Sequence, residues 1–268
     1  MLEKGIPVFD SPEKAAKALA VLLRYKEVTE RLPYEKVSLP KASPEAAAII
    51  EKAIKNKQKA LDEHAAKTLL AIYGIPIPDE KLIASKEELD DVVASLKYPV
   101  VMKACHPDIM HKTEKGLVIL PVKDRDEAKD AFSQIQKRAG FATPVLVYTL
   151  VEGKREFMAG ALNQKGFGKA VLFGLGGIFT EALKDITFRV APLTKRDAFE
   201  MLYDIQAKTL LGKFRNEDEV DTSSLANLLY VLSTVPLLHP EISEIDCNPI
   251  IISGSKPVVI DALVVLNN

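Results

Sequence analysis

Val100-Val-Met-Lys-Ala-Cys-His-Pro-Asp-Ile-Met-His-Lys-Thr-Glu-Lys-Gly116 carries one lysine, Lys103, out of an apolar run and into a polar loop. Residues 98–105 read as a buried strand, and residues 116–122 as a second strand beyond the loop. A lysine on a buried strand is costly unless it meets an anion. The loop presents His111, followed by Lys112 and Thr113. A neutral imidazole is nucleophilic near pH 7 and can accept a phosphoryl group. Hydrogen bonding to phosphate, or plain exposure, accounts for the same residue.

Helices and strands surround this unit. Ser11-Pro12-Glu13 and Ser43-Pro44-Glu45 each supply a capping hydroxyl, a first-turn proline and an early acid, so each opens a helix. Ala15, Ala18, Leu19, Leu22 and Leu23 give the first helix an apolar stripe. A strand is expected over residues 5–9, and prolines mark residues 33–44 as a linker. The second helical region reaches about Tyr73, breaks near Asn56 and stops at Gly74. Further strands are expected at 81–84, 144–151, 155–162, 169–173 and 187–192. Further helices are expected at 85–96, 124–139, 195–205 and 223–238, with closing strands at 243–252 and 257–265. Consecutive strands with short connections favour antiparallel sheets with helices on one face, an α+β plan.

The charges nearly cancel, 36 Lys and Arg against 37 Asp and Glu, which argues against a nucleic-acid binder. No apolar run approaches the roughly 20 residues that cross a bilayer, and the first residues lack a signal-peptide core. Cys105 and Cys247 are not spaced as a metal pair and read as small packed hydrophobes. A cytoplasmic location is the expectation.

The last two strands can be read residue by residue. Around Glu244-Ile-Asp-Cys-Asn248, Glu244, Asp246 and Asn248 share one face, and Ile245 and Cys247 the other. Ser253-Gly254-Ser255-Lys256 signals a hairpin turn. Counting outward from a Ser253–Lys256 pair sets Asn248 opposite Asp261. Directly opposed residues have Cβ atoms roughly 4.5–5.5 Å apart, so two oxygen-bearing side chains can share a hard cation. Mg²⁺ favours such ligands together with substrate phosphates, and Asp246, Asn248 and Asp261 match that need. A solvated acid on a half-exposed strand is the plainer alternative.

Phe173-Gly-Leu-Gly-Gly-Ile-Phe-Thr-Glu-Ala-Leu-Lys-Asp185 places Gly176 and Gly177 just after a strand, where backbone N–H groups can approach an anion. It lacks the Gly-Lys-Ser/Thr of a Walker A loop, and a tight turn explains it equally well. Tyr148-Thr-Leu-Val-Glu-Gly-Lys-Arg-Glu156 leaves one strand, turns at Gly153 and enters the next. Its strand edge could meet an adenine ring, with Glu152 or Glu156 on ribose hydroxyls; an ordinary charged turn is the alternative. Lys103 would neutralise nucleotide phosphate beside Mg²⁺. Arg189 could add a second phosphate contact, and a surface salt bridge explains it equally well. His64, His106 and His239 read as structural or exposed.

Taken together, Val101-Met-Lys-Ala-Cys-His-Pro-Asp-Ile-Met-His-Lys-Thr113, the glycine segment 173–185, Phe188-Arg-Val-Ala-Pro-Leu193 and Glu244-Ile-Asp-Cys-Asn-Pro249 resemble a known family. It is the ATP-grasp subunit of ADP-forming acetyl-CoA (acyl-CoA) synthetases, relatives of the nucleotide-binding subunit of succinyl-CoA synthetase. The resemblance implies an ATP-grasp domain over residues 46–268, with lobes at about 60–142 and 143–268. Residues 1–45 would form a strand–helix extension and linker, of which 1–32 resemble the end of a CoA-ligase part. The implied reaction is acyl-CoA + ADP + phosphate ⇌ acid + CoA + ATP, with ATP/ADP and Mg²⁺ bound here. The implied partner is a CoA-binding α subunit or domain, in a hetero-oligomer.

By the same resemblance His111 falls on the loop histidine that carries the phosphoryl group, Lys103 on the phosphate-binding lysine and Glu156 on the nucleotide-binding acid. Asn248 and Asp261 fall on the Mg²⁺ ligands, with Asp246 alongside. The family loop usually runs His-Lys-Ser-Asp-x-Gly-Gly, whereas here Glu114-Lys115-Gly116-Leu117 replaces its second half. Two rival readings are a degenerate ATP-grasp module with a regulatory or scaffolding role, and an ATP-grasp carboxylate–amine ligase, which needs no histidine.

Overall fold

Side chains that stop or start the backbone set the helix boundaries in this computed structural model, which describes residues 7–30, 37–109, 112–177, 185–214 and 217–267. Two compact units are present, Met1–Lys36 and Val37–Asn268. The first contains helix α1 (Pro12–Glu30). The strand expected before it is not formed over residues 7–9, and residues 5 and 6 lie outside the described residues. Val8 and Phe9 are exposed, and an extended segment without a paired neighbour leaves its backbone groups to water.

In the second unit Ser43 caps α2 (Pro44–Lys55) by accepting from the N–H groups of Glu45 and Ala46. Asp62 caps α3 (Glu63–Ile72), Ser85 caps α4 (Lys86–Val93) and Asp124 caps α5 (Arg125–Ala139). Gly140, with φ +76°, ends α5 in the left-handed conformation that glycine adopts without steric cost. Thr194 forms a capping box on α6 (Lys195–Asp204), and Asp221 caps α7 (Thr222–Leu238).

Strands β1 (Glu80–Ile83), β2 (Val100–Ala104), β3 (Val118–Val122) and β4 (Val145–Thr149) form a four-stranded antiparallel sheet in the order β1-β4-β2-β3. Strand β4 hydrogen-bonds into this smaller sheet, so the chain leaves that sheet after Thr149. One face, with Val100, Met102, Ala104, Val145 and Val147, packs on Leu89, Val93, Ala128, Phe132 and Ile135 of α4 and α5. The other face presents Val101, Cys105, Leu146 and Tyr148, and alternation puts Lys103 with them.

Strands β5 (Glu156–Gln164), β6 (Gly168–Leu175), β7 (Ile186–Val190), β8 (Ile242–Ser253), β9 (Lys256–Val259) and β10 (Ala262–Leu266) form the larger sheet. Its order is β10-β8-β5-β6-β7, all antiparallel, with β9 also on β8. The expected last strand is interrupted at Ile260 and Asp261, yet β9 and β10 keep one register against β8: Ile250 pairs Val259 and Cys247 pairs Ala262. Asn248 therefore stands opposite Asp261, and its N–H donates to the Asp261 carbonyl at 3.2 Å.

The pleat sorts this sheet into two faces. One cross-strand row is Arg189, Val171, Ala161, Ile245 and Val264; the next is Phe188, Leu172, Gly160, Asp246 and Leu263. The face of the first row packs on α7 and α6 to make the main core, with Val171, Phe173, Ala159 and Cys247 fully buried. The second face carries Asp246 and Asn248. Opposite Met158, two β8 residues, Asn248 and Pro249, face one β5 residue, a bulge of the kind that re-aims side chains at strand ends.

Candidate functional site

Charged residues buried in a protein interior must be paired, and among the described residues one of the large fully buried side chains is a lysine, Lys67. Glu63 and Lys67 lie four residues apart on α3, on the same stripe as the apolar Ala66 and Leu70. Both therefore point inward, toward the face of the smaller sheet that carries Lys103. The Lys67 ammonium lies 2.9 Å from Glu63 Oε1 and 2.5 Å from Glu80 Oε2, and donates to the Ile260 carbonyl at 3.2 Å. Glu80 Oε2 has no well-angled hydrogen bond, so that contact is one of charge. The other Glu80 oxygen meets His64 Nδ1 at 2.8 Å.

Lys103 Nζ donates to Glu63 Oε1 at 2.6 Å and to the Ile260 carbonyl at 3.2 Å, and lies 3.4 Å from Asp261 Oδ2. Lys112 Nζ donates to Glu63 Oε2 at 2.5 Å. The break between β9 and β10 thus turns one carbonyl and one carboxylate toward the lysines. The Tyr148 ring lies 4.9 Å from Lys67 Nζ and 5.3 Å from Lys103 Nζ, close enough for its π face to attract both. Burial opposes ionisation of Glu63, but Lys103, Lys67 and Lys112 outweigh it and hold the carboxyl at about 2. Burial also disfavours the Lys103 ammonium, and Glu63 and Asp261 reverse that, raising its pKa above the ordinary lysine value.

The acidic row is built differently. Burial, then the charges of Glu244 and Asp261, push the Asp246 carboxyl up to about 6. Asp261 is also raised, by burial ahead of any charge, with Lys103 acting in the opposite direction. Among the described residues no three His, Cys, Asp or Glu side chains converge as a metal cage. Asp246, Asn248 and Asp261 are instead an oxygen-donor row that includes an amide, suited to a hard cation sharing its shell with phosphate and water.

A cleft of about 380 Å³ is lined by Glu63 and Asp261, the two carboxylates that hold Lys103, and by Asp62, His106, Lys112 and Thr113, among others. His111 lies outside the described residues, but Lys112 and Thr113, which follow it, line the cleft. Leu117, at the position where the family loop has a second glycine, is buried in the smaller sheet's core. Its N–H donates to the Lys112 carbonyl at 2.8 Å, so it anchors the C-terminal end of the loop.

Glu156 joins the open face of the larger sheet through its alternation with Met158 and Gly160. The Gly176 N–H donates to the Glu156 carbonyl at 2.9 Å, so it does not serve as an anion donor. Gly177 has φ +69°, and a Cβ there would lie 2.5 Å from Glu156 Oε2. Close packing on β5 thus explains both glycines, and residues 178–184 lie outside the described residues. Glu152 is exposed in the connection before β5. Arg189 is on the helix-covered face, the side opposite Asp246, where it forms an ion pair with Asp204. The expected phosphate contact from Arg189 is therefore corrected: strand alternation turns it away from the acidic row. Glu63, Lys67 and Glu80 were absent from the sequence reading. The available signal was a charged i,i+4 pair lying on an apolar stripe.

Comparison with known proteins matches residues 52–266 to the ATP-grasp domain family. The β subunit of acetate–CoA ligase (ADP-forming) I from Pyrococcus furiosus is 40% identical over 227 residues, covering 82% of this chain and 97% of that one. The acetate–CoA ligase (ADP-forming) I of Archaeoglobus fulgidus is 35% identical over 98% of this chain, which spans 39% of that longer protein. Among solved structures, acetyl-coenzyme A synthetase 1 of Candidatus Korarchaeum cryptofilum, in complex with coenzyme A, Ca-AMPCP and HgCl⁺, superposes with a TM-score of 0.79. It is 32% identical, over 83% of this chain and 100% of that one.

Proposed function

Because the chain belongs to the ATP-grasp family, among its ADP-forming acid–CoA ligases, we propose that it is the nucleotide-handling subunit or domain of such a ligase. The reaction is acid + CoA + ATP ⇌ acyl-CoA + ADP + phosphate. One observation supports this site: Lys103, from the smaller sheet, lies 3.4 Å from Asp261, at the junction of two strands of the larger, and Asp261 lines a cleft together with Lys112 and Thr113, which follow His111. A phosphate bound in that cleft meets the Lys112 ammonium, with Lys103 buried between Glu63 and Asp261, and Asp261 is the member of the oxygen-donor row that reaches it.

Asp246, Asn248 and Asp261 fit a divalent cation, since each offers an oxygen ligand and Asp246 is raised by burial and then by neighbouring carboxylates, whose repulsion a cation would relieve. Mg²⁺ held by these residues supplies charge neutralisation on the nucleotide phosphates. Lys103 binds the phosphate to be transferred and steadies its charge. Glu156 binds the ribose in this reading, which its position on the same face as Asp246 supports. His111 attacks the γ-phosphorus of ATP through an imidazole nitrogen. The bond to the β-phosphate oxygen breaks, ADP leaves, and a phosphohistidine remains; in reverse, ADP takes the group back. The partner is a CoA-binding subunit or domain, which completes acyl transfer.

The test is intact-protein mass spectrometry after incubation with Mg-ATP, in the presence of a CoA-binding partner. An acid-labile, alkali-stable phosphoryl adduct that disappears in His111→Ala is the expected result. No adduct on the parent chain, or an unchanged one in His111→Ala, contradicts the assignment.

A further inference from the structure

We propose that Glu63 is a positioning residue of the nucleotide site: held by the buried Lys67, it keeps Lys103 away from Asp261 so that Asp261 is available to the cation. This rests on the reading of Lys103 and Asp261 given above. The Glu63 side chain is 1% exposed, and its two oxygens are divided between three ammonium groups. Oε1 takes Lys103 at 2.6 Å and Lys67 at 2.9 Å; Oε2 takes Lys112 at 2.5 Å. Lys103 has two carboxylates within reach and prefers the nearer, since Asp261 is 3.4 Å away against 2.6 Å for Glu63.

This division of partners has a functional consequence. An ammonium bound tightly to Asp261 competes with a divalent cation for the same oxygens. Glu63 holds the Lys103 ammonium the more closely, at 2.6 Å against 3.4 Å, which leaves Asp261 the freer of the two carboxylates for the cation. Lys67 keeps Glu63 in place without joining the site: it is fully buried, and its other partners are Glu80 and the Ile260 carbonyl. Removing the Glu63 charge leaves Lys103 with Asp261 as its sole carboxylate among the described ion pairs.

The test measures binding of ADP to the full chain by titration calorimetry across a Mg²⁺ series, together with thermal melting of the ligand-free protein. Glu63→Gln is expected to raise the half-saturating Mg²⁺ concentration roughly tenfold or more, the scale of one lost charge-assisted contact. The double variant Glu63→Gln/Lys67→Met restores charge balance in the interior. It is expected to recover melting temperature toward the parent value while keeping the raised Mg²⁺ requirement, and it carries the test if Glu63→Gln alone does not fold. A purely structural role predicts that the double variant recovers both, which overturns the proposal. Lys103→Met separates the two readings. If it leaves ADP affinity unchanged, the nucleotide site itself is misassigned. If it weakens ADP binding while both Glu63 variants keep the parent's Mg²⁺ requirement, only the role of Glu63 fails.

Discussion

The lysine cluster around Glu63 and the acidic row on the larger sheet meet at Asp261, yet they handle charge in opposite ways. In the cluster, the ammonium groups of Lys67, Lys103 and Lys112 are balanced by the carboxylates of Glu63, Glu80 and Asp261. Glu63 is driven far below the usual carboxylate range. In the row, Asp246 is driven above it, because burial removes water and, secondarily, Glu244 and Asp261 repel its charge. One region is internally compensated and contributes to holding α3, β1, β2 and the β9–β10 junction together. The other gathers carboxylates without a matching cation among the described residues, and in the proposed function a divalent cation would offset them. A site that must bind both phosphate and metal combines a preorganised positive side with an unsatisfied negative one.

Breaking the compensated region has the largest expected effect. Lys67→Met leaves Glu63 with Lys103 and Lys112, and Glu80 with His64, so it costs about 3 kcal/mol, the low end of the range for breaking a buried ion pair. Urea denaturation reads this directly; parental stability shows that the cluster is not coupled as described.

Acid sharpens the contrast. The folded-state pKa of Glu63 is depressed from 4.5 to about 2, so its stabilisation is complete above pH 4.5 and is lost as pH falls toward 2. Glu63→Gln flattens stability against pH in that window, measured by denaturation at successive pH values. An unaltered slope contradicts the ionised cluster.

Asp246 carries the opposite sign. Its folded-state pKa is raised from 3.8 to about 6, so any stabilisation it gives is present below pH 3.8 and lost as pH rises through 6. Asp246→Asn therefore raises the melting temperature of the metal-free chain at neutral pH by a few degrees, while weakening its response to Mg²⁺. A lower melting temperature removes the claim of excess charge. Arg189→Ala has the smallest effect, within about 1 kcal/mol because its ion pair with Asp204 is partly exposed, with ADP affinity unchanged. Weakened ADP binding in that variant returns Arg189 to the site.

The antiparallel α+β plan was legible because strand alternation, caps and turn residues act locally. The hairpin count held for the same reason: Gly254-Ser255 fixes the turn, and Asn248 meets Asp261 without slippage. Lys103 was legible as a buried cation in need of an anion. Its partner in the structure was not, since Glu63 comes from a helix 40 residues earlier in the chain. Arg189 misled because its sequence context records a strand but not which face that strand turns to the helices. That information emerges only when β5, β6 and β7 are aligned with β8. Over the described residues 7–9 the expected strand is not formed, for a related reason: local pattern supplies no pairing neighbour.

The most direct measurement of the central claim is ADP binding by the parent chain and by Lys103→Met and Asp261→Asn, each with and without Mg²⁺. Mg²⁺ should tighten binding to the parent. Lys103→Met should weaken binding in both conditions, and Asp261→Asn should abolish the Mg²⁺ enhancement while leaving metal-free binding near the parent value. ADP binding that is equally tight with and without Mg²⁺ in all three proteins would contradict a site assembled from these two regions.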